Sequence, residues 1–180
     1  TKGVAEFGLG RYEDALASAR KAIVEFEKLA PYVDQGLWRS YSLKASAESK
    51  MKRYKDALVS LNKVRQALKK LGSQNWADWA YIASQESQIA LDGGDVQAAR
   101  DAIDEAIGYY RRIDGYTYLP QYYMTLMGKV SNGIASGREE EEALFSEILD
   151  RLKLDDDLTG VIGPQMKVQY AEYLFSHNRY

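Results

Sequence analysis

The sequence predicts an all-α fold, an α-solenoid of antiparallel helix pairs, and three observations carry that prediction. The first is one short phrase that returns. Gly10-Arg11-Tyr12-Glu13-Asp14-Ala15-Leu16 recurs as Lys52-Arg53-Tyr54-Lys55-Asp56-Ala57-Leu58 and, loosened, as Gly94-Asp95-Val96-Gln97-Ala98-Ala99-Arg100, so that Tyr12, Tyr54 and Val96 stand 42 residues apart. A fourth copy, Gly137-Arg138-Glu139-Glu140-Glu141-Glu142-Ala143-Leu144, carries one extra residue in its turn, and Asn178-Arg179-Tyr180 opens a fifth. A fixed period of a few tens of residues marks an array whose units bury their faces against their neighbours. The second observation is helical spacing of the apolar residues between the copies, with no strand-like alternation. The third is a set of small residues at fixed offsets. Nine residues before the tyrosine position stand Gly3, Ala45, Ser87, Ser131 and Ala171, and three after it stand Ala15, Ala57, Ala99 and Ala143. Ten after it come Ala22, Val64 and Ala106, with Asp150 breaking the rule in the fourth copy. Small side chains at these places let two helices approach to about 8–10 Å and let the next pair stack on them.

Nine helices follow. The first covers about Thr1 to Leu9, and the second about Tyr12 to Ala30, with Ala15, Leu16, Ala19, Ile23, Phe26 and Leu29 at helical spacing and Pro31 ending it. The third spans about Asp34 to Met51 and the fourth Tyr54 to Leu71, stopped at Gly72-Ser73, where glycine can take the left-handed cap conformation. The fifth, about Asn75 to Leu91, gathers Trp76, Trp79, Ile82, Ala83 and Ala90 near one face. Asp95 is placed to cap the sixth, which runs to about Ile113, and Gly115 to Tyr118 form a loop. The seventh spans about Leu119 to Ala135, with Pro120 tolerated in a first turn whose N–H needs no partner. The eighth runs from Glu139 to about Lys153, its acidic first turn matching the positive end of the helix dipole. Asp155 to Gly163 is a loop, and the ninth helix starts near Pro164. This phase divides the chain into a partial repeat at 1–33, repeats at 34–73, 74–117 and 118–162, and the first helix of a fifth at 163–180. It also predicts a piece of a longer protein, whose clipped ends (Val4, Phe7 and Leu9; Tyr170 and Leu174) self-associate or fray.

Composition narrows the function. Of 180 residues, 46% are hydrophobic and 28% charged, enough apolar material for a continuous core. Twenty-four basic residues against 26 acidic ones leave no strong field, which argues against nucleic acid as a partner. The chain has no cysteine, so disulfides, thiolate metal sites and cysteine nucleophiles are all excluded. No apolar run reaches the roughly 20 residues a bilayer needs, and no signal peptide is visible, so a cytoplasmic protein without membrane partners is expected. The common nucleotide and zinc motifs are absent. The single histidine, His177, lies in a turn. Asp155, Asp157 and Thr159 alternate before Gly160 like half a calcium loop, but Met166 stands where the closing glutamate belongs, so a solvated connector is expected. Tyr109, Tyr110, Tyr116, Tyr118, Tyr122 and Tyr123 beside Arg111 and Arg112 could stack bases, yet packing between the third and fourth pairs explains them more simply. Trp76 and Trp79 fit inter-repeat core.

The small residue on one helix, the aromatic after the turn and the small residues on the next helix resemble the tetratricopeptide repeat family, over essentially the whole chain. The usual repeat there is about 34 residues. Eight further residues amount to roughly two helical turns, which resembles the long-helix subgroup of motor light chains, bacterial signal-responsive regulators and cell-polarity adaptors. The resemblance implies a right-handed superhelix whose first helices line a concave peptide groove. Transferred by offset, that groove takes Val4 and Phe7 from the first copy and Arg39, Ser42, Ser46 and Ser49 from the second. It takes Tyr81, Ser84, Gln88 and Leu91 from the third, Thr125, Gly128, Asn132 and Ala135 from the fourth, and Gln165, Val168, Glu172 and Phe175 from the fifth. The lysine and asparagine set with which some members grip a C-terminal carboxylate is not reproduced, since Val4 replaces its first asparagine. The implied function is a non-catalytic scaffold that binds a peptide or partner helix and needs no cofactor or metal. The alternative is a sensory segment of a larger bacterial-type regulator, binding a small ligand or its own effector domain.

Overall fold

The computed structural model describes residues 2–29, 34–154, 168, 171–172 and 174–175, with the side chains of 34–35, 118 and 151–154 left aside. Among the described residues the fold is all-α. The helices are α1 (Lys2–Gly8), α2 (Tyr12–Lys28), α3 (Asp34–Lys50), α4 (Tyr54–Lys70), α5 (Trp76–Asp92), α6 (Val96–Tyr110), α7 (Pro120–Ser131) and α8 (Arg138–Leu154). A 3-10 turn, Tyr116–Tyr118, replaces the expected loop and follows the end of α6 at Tyr110 rather than Ile113. The chain forms two compact units, Thr1–Tyr109 and Tyr110–Tyr180.

The period seen in the sequence governs where helices start and stop. α2, α4, α6 and α8 begin at Tyr12, Tyr54, Val96 and Arg138, each 42 residues after the last. α1, α3 and α5 end in one and the same way. The N–H of Arg11 donates to the Glu6 carbonyl, that of Arg53 to Glu48 and that of Asp95 to Ala90, at 2.9, 2.8 and 2.9 Å. This closing bond needs the preceding residue in the left-handed region. Gly10 (φ 75°) and Gly94 (φ 84°) take it readily, and Lys52 takes it at φ 59° without being glycine. Asp95 caps α6 as expected, its Oδ1 accepting the Ala98 N–H at 3.0 Å.

In the first unit α1 packs on α2, α2 on α3, α3 on α4 and α4 on α5. The small positions serve as expected in three copies: Gly3, Ala45 and Ser87 are buried, as are Ala15, Ala57 and Ala99. The main core joins Ala45, Ala57, Leu61, Val64, Leu68, Trp79, Ile82 and Ile89, with Trp38, Tyr41, Tyr54, Trp76 and Tyr109 packed against it. Trp76 stacks on Tyr109 with ring centroids 5.9 Å apart. Polar bonds repeat as well. Ser18 Oγ donates to buried Glu6 and Ser60 Oγ to buried Glu48, both at 2.6 Å. Arg65 of α4 binds Glu86 of α5 and Glu105 of α6, and the Glu86 bond pushes its guanidinium pKa up further.

The fourth copy corrects the alignment. α8 starts in step at Arg138, but the closing residue is Ile134, so three residues, Ala135, Ser136 and Gly137, lie before α8 where one extra was expected. Ser131 and Ala143, assigned to small buried contacts, are exposed. α7 ends at Ser131 instead of near Ala135 because Gly133 turns left-handed at φ 64°, and the Ile134 N–H closes on the Lys129 carbonyl at 3.1 Å. Lys129 thereby takes the place held by Glu6, Glu48 and Ala90. It is 1% exposed and paired to Glu140. Burial alone would raise the Glu140 carboxyl, but bonds from Lys129, the Ser136 N–H and the Ser136 hydroxyl outweigh that and hold it at about 2.

Candidate interaction groove

The two halves of the predicted inner stripe are placed differently. On α3, Arg39 is exposed, its guanidinium 5.6 Å from the Trp38 ring centroid. Ser42 and Ser49 are buried, and the Ser42 hydroxyl is buried without a hydrogen-bond partner. Ser46 is half-buried and accepts from Gln85 Nε2 at 3.3 Å. Across from it on α5, Tyr81 is 45% exposed and its hydroxyl accepts from the same Gln85 amide at 2.8 Å. Desolvation raises the Tyr81 pKa, and the Gln85 donor pulls it part of the way back. Ser84 is half-buried and bonded to its own helix at Ala80, while Gln88 is exposed and donates to Asp92. Phe7 is half-buried against the Ala15–Leu16–Ala47 core, with its ring 5.4 Å from that of Tyr12. The structure therefore leaves Arg39, Tyr81 and Gln88 exposed and withdraws Ser42 and Ser49 into packing.

In the second unit Thr125 is buried with its hydroxyl on the Gln121 carbonyl, Asn132 is exposed at the end of α7, and Glu172 is helical and exposed. Gln165 lies outside the described residues, as do His177 and the 155–163 loop. The tyrosines here are packing groups. Tyr122 is fully buried among Tyr110, Tyr116 and Tyr123, and its hydroxyl donates to Glu147 at 2.5 Å while accepting from Arg111 at 3.0 Å. The Tyr118 side chain lies outside the described set.

A concavity of about 750 Å³ lies in the first unit, between α1, α2 and α3. Gly3, Ala19, Ala22 and Leu43 make its floor, Phe26 and Gly36 one end, and Lys2, Lys21, Glu25 and Arg39 its rim. Its shape rests on two glycines. A Cβ on Gly36 would meet the Phe26 ring at 2.4 Å, and one on Gly3 would meet Leu43 Cδ2 at 2.8 Å. Lys2 is committed to Glu6 at 3.5 Å, and Glu25 to Lys28 at 3.0 Å. Lys21 and Arg39 have no carboxylate partner among the described residues.

Of this groove the sequence reading found Arg39 and Val4 but not Lys21, Phe26 or Gly36 as site residues. Gly36 carried a legible signal, since glycine in a helix interior costs about 1 kcal/mol and asks for a packing reason. Among the described residues no group of His, Cys, Asp or Glu could hold a metal ion, and no helix is long and apolar enough to cross a membrane. No family model matches the chain, and no curated protein does.

Proposed function

We propose that this chain is a non-catalytic protein-interaction scaffold, a stack of antiparallel helix pairs of the tetratricopeptide kind, that binds a peptide or partner helix. The 42-residue spacing of helix starts, the repeated closing bond after α1, α3 and α5, and the repeated Glu–Ser bonds support the stacked-pair reading. The observation that carries the binding reading is that Arg39, Tyr81 and Gln88 of the implied inner stripe are exposed, Arg39 with no carboxylate partner among the described residues. An exposed cation and a half-exposed aromatic ring on that stripe have electrostatic and apolar contact to offer a partner. Panning a random peptide library against the folded chain tests this. Enriched peptides should compete with one another and lose affinity for Arg39→Glu while the variant keeps its helical circular dichroism. Enrichment of peptides indifferent to Arg39→Glu would refute the site.

A further inference from the structure

The turn between α3 and α4, and the exposed face of α4, carry a charge that the repeat does not require. Residues 50–70 hold eight basic residues and one acidic one, in a chain with 24 basic and 26 acidic. One period earlier, residues 8–28 hold four of each; one period later, residues 92–112 hold three basic and five acidic. Lys50, Lys52, Lys55 and Lys63 are exposed, and none has a carboxylate partner among the described residues. Arg53 beside them is held by Asp56.

Two of these charges stand where they lower stability. Lys52 takes the left-handed conformation at φ 59°, a place filled by Gly10, Gly94 and Gly133 in the other closing turns. Lys55 lies in the first turn of α4, at the positive end of the helix dipole, where α2 has Glu13. Helix formation explains neither lysine, and strain kept at such a place points to a use outside the fold. From Lys55 the line continues in steps of four through Val59 and Lys63, on the side turned away from buried Ala57, Leu61 and Val64. Val59 is 63% exposed, and Leu58 beside it 37%.

We propose that this face of α4, with the turn before it, is a docking surface for an acidic peptide segment of a partner protein. The segment has an aliphatic residue set between its carboxylates. Those carboxylates pair with Lys50, Lys52 and Lys55 at one end and Lys63 at the other, while the aliphatic residue covers Leu58 and Val59. Residues 55 and 63 lie about 12 Å apart along the helix, so a few extended residues reach both. Exposed aliphatic carbon between the lysines favours a polypeptide over nucleic acid, whose phosphates gain nothing from it. No aromatic ring lies among these residues to stack a base, and a net charge of -2 leaves no long-range pull on a polyanion. The surface is separate from the inner stripe of α3 and α5, and stands or falls without it.

The first repeat supplies the variants. Lys52→Gly with Lys55→Glu introduces the residue types of Gly10 and Glu13, and Val59→Ala that of Ala17. The probe is a capped, fluorescein-labelled peptide of glutamates around a central leucine, titrated with the whole chain and followed by anisotropy. Binding should saturate at one-to-one and weaken with salt. The double variant should bind about tenfold or more weakly while its urea midpoint holds or rises, so that lost binding is not lost folding. Val59→Ala, or serine in place of the leucine, should weaken binding by about threefold at every salt concentration. Arg39→Glu should leave it unchanged. Binding that ignores the double variant, or that Arg39→Glu abolishes, overturns the proposal. So does a failure of the peptide to saturate at low salt, or tighter binding of duplex DNA at equal salt.

Discussion

Glu140→Gln gives the sharpest energetic test of the fourth repeat. The Glu140 carboxyl is held at about 2 against an ordinary 4.5, by Lys129 and by the Ser136 N–H and hydroxyl. Lys129, the partner, is 1% exposed, while the Glu140 side chain keeps 30% of its surface. At about 1.36 kcal/mol per pKa unit the depression is worth about 3 kcal/mol at most. Solvent at the exposed edge screens the pair, so about 2 kcal/mol is the working value. The sign follows from a depressed carboxylate pKa. Its stabilisation is fully present above about pH 4.5 and disappears as pH falls toward 2. Glutamine imitates the protonated carboxyl, so the variant should be about 2 kcal/mol less stable at pH 7. The gap should close by pH 2. Urea titrations followed through the methyl resonances of Ile134 and Ile148, both 1% exposed in the same unit, would measure it. A gap that stays constant from pH 7 to 2, or no gap at pH 7, would refute the buried pair.

Three further outcomes test the repeat. Lys52→Gly should stabilise by roughly 0.5–1 kcal/mol, because the left-handed conformation strains lysine and not glycine; a loss in urea midpoint would contradict the closing-bond geometry. Ala57→Leu should cost about 1–3 kcal/mol at a fully buried helix contact, while Ser46→Ala stays near neutral, and equal losses in melting temperature would sink the alignment. Gly36→Ala should cost about 1–3 kcal/mol through its clash with the Phe26 ring, and Phe26→Leu in the same chain should recover part of it.

Helix starts were legible because the tyrosine phrase recurs without insertion through Val96, and the small residues beside it have one use, close helix contact. The fourth copy misled for a physical reason. Ser131 and Ala143 match the pattern in type, but Gly133 ends α7 early and brings a buried lysine to the place held by Glu6, Glu48 and Ala90 in the other copies. A lysine in that place carries no apolar signal, and its partner Glu140 is hidden in a run of four glutamates. The groove was partly legible. Arg39 lay on the inner stripe, but Lys21, Phe26 and Gly36 line the concavity from positions that no single motif records. Glu6, Glu48, Ser18 and Ser60 could have been found, since both pairs repeat at 42 residues.

Recognition on the inner stripe is tested most directly by NMR of the chain titrated with a panned peptide. The amide resonances of Tyr81 and Gln88, both exposed on α5, should shift together and saturate. The methyls of Leu68, buried beneath α3, and of Val59, exposed on α4, should stay in place. Saturating shifts confined to Val59 or other sites away from α3 and α5, with Tyr81 unmoved, would contradict the account.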